Sequence, residues 1–326
     1  MRYDAILIVS FGGPERREDV IPFLENVLRG RNVPRERILA VADHYYHFDG
    51  RSPINQQCRD LISALRDRVL VPIYWGNRNW TPMLADTVRQ MADHGVRRAL
   101  AIATSAYSSY SGCRQYIENI ASARDAVGNS APIIDKLPPF WSHAGFVTAN
   151  SDRVAAALSR LPEDSRAAAR LVFTAHSIPA AMSATCGYEE QLVDTARRVS
   201  AAVNHEEWDL VWQSRSGPAA QPWLEPDILD HLRVLADNGV RNVVVSPIGF
   251  LSDHMEVMYD LDHEAAALSA KLGINFVRAA TAGTHPAILT MLRDLIGQHQ
   301  NAELPFCAPD CCPALRRPAP SLRVEP

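Results

Sequence analysis

No apolar run in this 326-residue chain approaches the roughly 20 residues needed to cross a bilayer, so no membrane span is expected. Met1 to Asp4 and the short apolar run after them are too brief and wrongly flanked for a signal peptide, and read as a first strand. Basic clusters are missing too. Lysine and arginine are scattered and the net charge is −4, which argues against a nucleic-acid footprint. Cysteine is sparse, at 6 residues; in a chain read as cytoplasmic, thiols or metal ligands are expected rather than disulfides. A dinucleotide fingerprint is absent as well: Ser10-Phe11-Gly12-Gly13-Pro14-Glu15 lacks the third glycine, and proline interrupts the turn. What remains is ordinary globular composition, 47% hydrophobic and 21% charged, long enough for two domains.

Strand-like runs at 5–9, 71–74, 99–104, 171–174, 210–212, 243–247 and, more weakly, 274–277 alternate with helical stretches. That alternation predicts βαβ units and a mostly parallel sheet. An internal echo refines it. Met91-Ala92-Asp93-His94-Gly95-Val96-Arg97 precedes one strand, and Leu235-Ala236-Asp237-Asn238-Gly239-Val240-Arg241 precedes another. Pro82 and Pro226 share an offset, each shortly after a tryptophan, Trp80 or Trp223. Pro14 and Pro179 close the loops after the first strand of each half. Two similar doubly wound halves are the simplest reading, joined near Leu137-Pro138-Pro139-Phe140. Ligands in such folds bind beyond the carboxyl ends of the strands.

The unusual residues cluster in those strand-end loops. After 243–247 comes Ser252-Asp253-His254-Met255-Glu256, and a helix there would stack Glu256, Asp260 and Glu264 at i, i+4 and i+8. No lysine or arginine lies between Asp253 and Glu264 to neutralise them. Such a row is either a solvated acidic helix start or a path for cations. His176 ends another strand, in Thr174-Ala175-His176-Ser177. The stretch from His44 to Pro53 is aromatic, basic and hydroxyl-bearing; it suits a flat aromatic ligand with anionic substituents, or packs on its own domain. Arg215, in Gln213-Ser214-Arg215, could meet an anion or pair with a nearby acid. The tail places Cys307, Cys311 and Cys312 beside prolines, a ligand loop for an iron–sulfur cluster or structural zinc. A fourth thiol would come from Cys58, Cys113 or Cys186. From Ala314 onward the chain is Pro/Arg-rich and expected to be disordered.

From Tyr3 to about Gln300 the chain resembles the ferrochelatase family. The motifs are Ser10-Phe11-Gly12-Gly13-Pro14, Ser52-Pro53, Thr174-Ala175-His176-Ser177-Ile178-Pro179, Val211-Trp212-Gln213-Ser214, Gly217-Pro218, and Ser252-Asp253-His254-Met255-Glu256 with Leu261-Asp262. The resemblance implies an α/β, chelatase-like fold of two similar Rossmann-like domains. Each is doubly wound on a parallel four-stranded sheet, with the active-site cleft between them. The expected spans are 1–138, 139–303 (its last helix, about 286–300, packing back on the first domain) and a Cys-rich tail, 304–326. The implied reaction is insertion of Fe²⁺ into a porphyrin in haem biosynthesis. The loop 107–111 lacks the apolar lip of the membrane-associated eukaryotic enzymes, which is similar to actinobacterial-type members acting on coproporphyrin III.

By the same resemblance, His176 and Glu256 are the facing catalytic pair and metal ligands, with Asp260 and Glu264 continuing an acidic metal path. Phe11, His44, Tyr45, Ser52, Ser111 and Trp212 contact the porphyrin; Phe11 replaces a tyrosine and His44 an arginine found in some relatives. Cys186, Cys307, Cys311 and Cys312 hold a 2Fe-2S cluster, Cys113 being the other candidate for the fourth ligand. The protein is expected to be a cytoplasmic monomer that touches other haem-pathway enzymes transiently. The chemistry suits these residue types. A neutral imidazole accepts pyrrole protons near neutral pH, and carboxylates exchange for the waters of the ion.

Overall fold

The computed structural model describes residues 2–31, 33–217, 220–300, 307, 308 and 310–315. Among the described residues, eight strands form two four-stranded parallel sheets. The first contains β1 (Ala5–Ser10), β2 (Ile73–Asn77), β3 (Arg98–Ala103) and β4 (Ile133–Lys136), in the order β2-β1-β3-β4. The second contains β5 (Arg170–His176), β6 (Trp208–Gln213), β7 (Asn242–Ser246) and β8 (Asn275–Arg278), in the order β6-β5-β7-β8. The two orders are the same permutation, so the internal echo in the sequence is a structural repeat. Central strands such as β1 are buried along their whole length, as a parallel sheet covered on both faces requires.

Two boundaries differ from the sequence reading. β2 begins two residues later than expected and runs through Gly76 and Asn77, because pairing with β1 (Val9 with Gly76, Ser10 with Asn77) overrides their poor strand propensity. β4 went unrecognised: it is a short, half-exposed edge strand with no sustained apolar run.

The repeat extends past the strands. The peptide bonds before Pro82 and Pro226 are both cis. Pro82 accepts from the Asn77 N–H at 2.7 Å and Pro226 from the Trp212 N–H at 3.0 Å, fixing each loop where its strand ends.

One apolar core runs through both halves, joining Ile6, Ile8 and Leu100 to Phe173, Trp212 and Val244. The helices Ala144–Leu158 and Pro286–His299 carry it across, contributing Phe146, Val154, Met291 and Leu292. Just beyond the last helix, the Gln300 side chain accepts from Tyr3 N–H at 2.9 Å, tying that end of the chain to the residues before β1. No helix among the described residues is long and apolar enough to cross a membrane.

Candidate active site

Strand β5 ends at His176, and the chain beyond it is pinned at several points. Ser177 N–H donates to Gln213 (2.8 Å), the Ser177 hydroxyl to Leu224 (2.9 Å), and the Tyr188 hydroxyl to the His176 carbonyl at 3.1 Å. The His176 Nδ1–H donates to the Ser177 carbonyl at 2.5 Å. A carbonyl only accepts, so the proton sits on Nδ1 and the other nitrogen, Nε2, is left for chemistry. Nε2 faces Glu256 Oε2 at 3.5 Å.

The segment that carries Glu256 is not the uniform α-helix that the spacing predicted. One α-turn, Met255–Val257, runs into a π-helix, Met258–Ala265, and then an α-helix, Ala266–Leu272. Wide π turns are rare and concentrate at functional sites. The row still delivers its members to different surroundings. Asp260 accepts from Gln213 Nε2 at 3.2 Å and from the Ser214 hydroxyl, while Glu264 acts on His44 and Tyr259.

The electrostatics separate these groups. Burial disfavours the His176 imidazolium, yet the hydrogen bond to Glu256 and its charge prevail, and the pKa is raised. Burial alone would raise Glu256, but His176, His254 and His44 bring it down to about 2. His254, 3.9 Å from Glu256, and His44 are both shifted down by burial, towards neutral imidazole. Asp260 is pushed up to about 7, by burial first and then, against the help of Ser214, by Glu256. The surroundings thus favour the imidazolium–carboxylate form of the His176–Glu256 pair, next to a carboxyl that takes a proton more readily than a free one.

Phe11 stands at the end of β1 with 38% of its surface exposed, a flat apolar wall. The stretch from His44 to Pro53 is not all loop: the helix Arg35–Tyr46 holds His44 and Tyr45, and Arg37 on it donates to the Ser216 carbonyl in the loop after β6 (2.9 Å). His44 stacks flat on Tyr259 at 3.8 Å. Tyr45 is buried beside Phe23 and Met255, and burial raises its pKa. Ser52 is buried under Gly13, whereas Ser111 is exposed and 3.3 Å from Ser109 Oγ. Trp212, expected against the ligand, is only 3% exposed and packs on Tyr188, so its ring serves the core. The paired glycines also serve the chain itself. A Cβ at Gly12, where φ is +83°, would lie 2.8 Å from Asn77 Cβ, and one at Gly13 would lie 2.7 Å from Ser52 Cβ. Arg215 meets an acid, Glu225, at 3.5 Å.

The cysteines converge elsewhere. Arg114, at the end of the π-helix Tyr110–Arg114, donates to the carbonyls of Ala308 (2.8 Å) and Cys311 (2.9 Å) and docks the tail. Cys311 and Cys312 Sγ lie 3.7 Å apart. Burial, then Cys311, Cys186 and Cys113, push the Cys312 thiol up to about 12, and Cys307 feels Cys113 and Cys311. Lys136 Nζ approaches Cys113 Sγ at 3.4 Å. Five of the six cysteines therefore gather here; Cys58 is buried separately, its thiol pushed up to about 11. Among the described residues, no three His, Cys, Asp or Glu side chains are already arranged to hold a metal. The segments 301–306 and 316–326, with Pro309, lie outside the described residues, so the expected disorder after Ala314 lies largely there.

Sequence reasoning missed Tyr188, Gln213 and Ser214 as supports of His176 and Asp260. Gln213-Ser214 ends a strand, which was a usable signal; Tyr188 lies in a helix with none.

The fold is that of known chelatases. The sirohydrochlorin chelatase SirB from Bacillus subtilis, in complex with cobalt, superposes with a TM-score of 0.56 at 13% identity, covering 90% of this chain and 94% of that one. Sequence relatives are far nearer. A ferrochelatase of Rhodopirellula baltica is 51% identical over 95% of this chain and 93% of its own length. A coproporphyrin III ferrochelatase of Nocardia farcinica is 49% identical over 98% and 99%. The ferrochelatase family model matches residues 3–300, and with it the chain belongs to the ferrochelatase family.

Proposed function

We propose that the chain inserts Fe²⁺ into coproporphyrin III, giving iron-coproporphyrin and two protons. The observation that carries this reading is the His176–Glu256 pair, 3.5 Å apart at the ends of two strand loops, with Phe11 exposed at the matching point of the other half. Relatives near 50% identity that are named for coproporphyrin III support the choice of porphyrin.

The macrocycle is placed against Phe11, with Ser111 and His44 towards its propionates and with Tyr45 and Ser52, expected there but buried, supporting that wall from behind. Those remote contacts cover the roughly 1–5 kcal/mol needed to bend a flat ring and present its nitrogens. Trp212 acts from behind, by packing. Ferrous ion sheds water to Glu264, Asp260 and Glu256 in turn, carboxylate oxygen replacing water oxygen. Its charge at Glu256 offsets the anion that held the His176 proton, and that proton passes to Asp260 and on to solvent. Neutral His176 then accepts, on Nε2, the protons leaving the pyrrole nitrogens, while Asp260, with its raised pKa, takes them on.

The tail belongs to the same reading. Cys186, Cys307, Cys311 and Cys312 would hold a 2Fe-2S cluster, thiolates being the donors such clusters use, with Cys113 beside them as the alternative fourth ligand. Such a cluster would tie the tail to the body. Spans of 1–138 and 139–303, a cytoplasmic monomer and transient contact with other haem-pathway enzymes complete the proposal.

Parallel anaerobic turnover with coproporphyrin III and protoporphyrin IX, followed by absorbance, tests it. Faster metallation of coproporphyrin III is expected. Preference for protoporphyrin IX would overturn the substrate, and tight binding without metallation would make the protein a carrier.

A further inference from the structure

A cavity of about 200 Å³ lies where the two halves meet. Gln57 and Thr104 come from the first half, Arg153 from the helix Ala144–Leu158, and Ser252, Thr281 and Thr284 from loops of the second. We propose that this cavity binds a small free oxyanion, a phosphate or a carboxylate, with Arg153 as its cation.

Arg153 carries the inference. Its Nε is buried with no hydrogen-bond partner, and among the described residues the guanidinium forms no ion pair. A buried donor left unsatisfied costs about 1–3 kcal/mol, more when charged, so a native protein rarely retains one without a reason. The fork of a guanidinium matches the paired oxygens of a carboxylate or phosphate. Two acids, Asp60 and Asp253, line the cavity and Asp152 adjoins it, and each has a partner of its own. Asp253 pairs with Arg278 at 3.0 Å, Asp60 accepts from Gln56 at 2.8 Å, and Asp152 pairs with His285 at 3.2 Å. The hydroxyls of Ser252, Thr281 and Thr284 make no hydrogen bond to protein among the described residues, so an oxyanion there meets donors on several sides. The cavity has polar groups among its apolar lining and is large enough for such an ion with water beside it.

Thermal unfolding of the full chain against inorganic phosphate and, separately, acetate at constant ionic strength tests the site. A saturable rise in Tm is expected, because a ligand of the folded state stabilises it by mass action. The anion that saturates first identifies the source. Arg153→Leu should abolish the rise, and Arg233→Leu, at an exposed arginine paired with Asp230, should keep it. Thr284→Glu supplies a resident carboxylate, and should raise Tm without added anion and remove the response; it also answers if Arg153→Leu fails to fold. A response that never saturates, or that survives Arg153→Leu or Thr284→Glu, would overturn the proposal. So would weaker coproporphyrin binding in Arg153→Leu with no anion response in the parent chain, since Arg153 would then serve a propionate.

Discussion

Phe11 and His176 occupy one and the same position in the two half-chains. Each directly follows the strand residue, Ser10 or Ala175, whose sheet neighbour donates its backbone N–H to a cis-proline carbonyl. Duplication of the fold thus supplies two equivalent positions, one filled by an apolar ring and the other by a titratable nitrogen.

Their substitutions should therefore separate binding from chemistry. Phe11→Ala is expected to weaken porphyrin binding about tenfold, roughly 1–1.5 kcal/mol, while sparing kcat. His176→Ala should leave porphyrin binding in place and cut kcat by about a hundredfold or more. Fluorescence quenching on porphyrin titration and steady-state turnover read the two quantities apart. Equal losses of both in either variant would defeat the assignment.

Iron capture should depend on pH with a definite sign. His176 has a raised pKa because Glu256 holds its proton, and Fe²⁺ competes with that proton. The KM for Fe²⁺ should fall as pH rises through the His176 pKa and then level off. Glu256→Gln removes the cause of the shift, so the midpoint of any residual profile should move down. A KM for iron independent of pH would contradict the pairing.

Much of this arrangement was legible in the sequence, and the exceptions share a cause. Strands buried on both faces announce themselves by composition, and the repeated Asp-His-Gly and Asp-Asn-Gly segments revealed the duplication. The edge strand β4 and the polar end of β2 did not, because pairing with a neighbour, rather than their own residues, makes them strands. The row Glu256, Asp260, Glu264 was visible, but its π-helical path was not: a widened turn depends on packing around it. Trp212 matched a motif while its ring faces the interior, since a motif fixes identity and not direction.

Asp260 supplies a stability test. Its pKa rises on folding from the ordinary 3.8 to about 7, so the protonated form is favoured in the fold. Stability from this group is fully present below pH 3.8 and lost as pH climbs to 7. Asp260→Asn should therefore match the parent in Tm near pH 4 and exceed it at pH 8. The gain is about 2 kcal/mol after allowance for solvent screening, or several degrees. A parallel pair of Tm curves across that range would dismiss the buried-carboxyl account.

Tyr188 positions His176 without touching the reacting atoms. Tyr188→Phe deletes one hydrogen bond to the His176 carbonyl, worth about 0.5–1.5 kcal/mol. The expected result is a several-fold fall in kcat with unchanged porphyrin affinity and a displaced pH midpoint. An unshifted midpoint would reduce Tyr188 to packing.

The thiol site can be read by eye. Freshly purified protein should show visible charge-transfer bands, with iron and sulfide near two per chain on a 2Fe-2S assignment. Cys186→Ser should bleach them and Cys113→Ser should not; the opposite result would exchange the fourth ligand. Colourless protein with bound zinc would replace the cluster altogether.

The core that runs unbroken from β1 to the helix Pro286–His299, closed by the Tyr3–Gln300 clasp, bears on how the two halves move. Lobes joined by a thin hinge can swing open for a guest; jaws cast in a single block cannot. On the proposed reading, a macrocycle bound between the halves would meet walls that were set when the polypeptide folded.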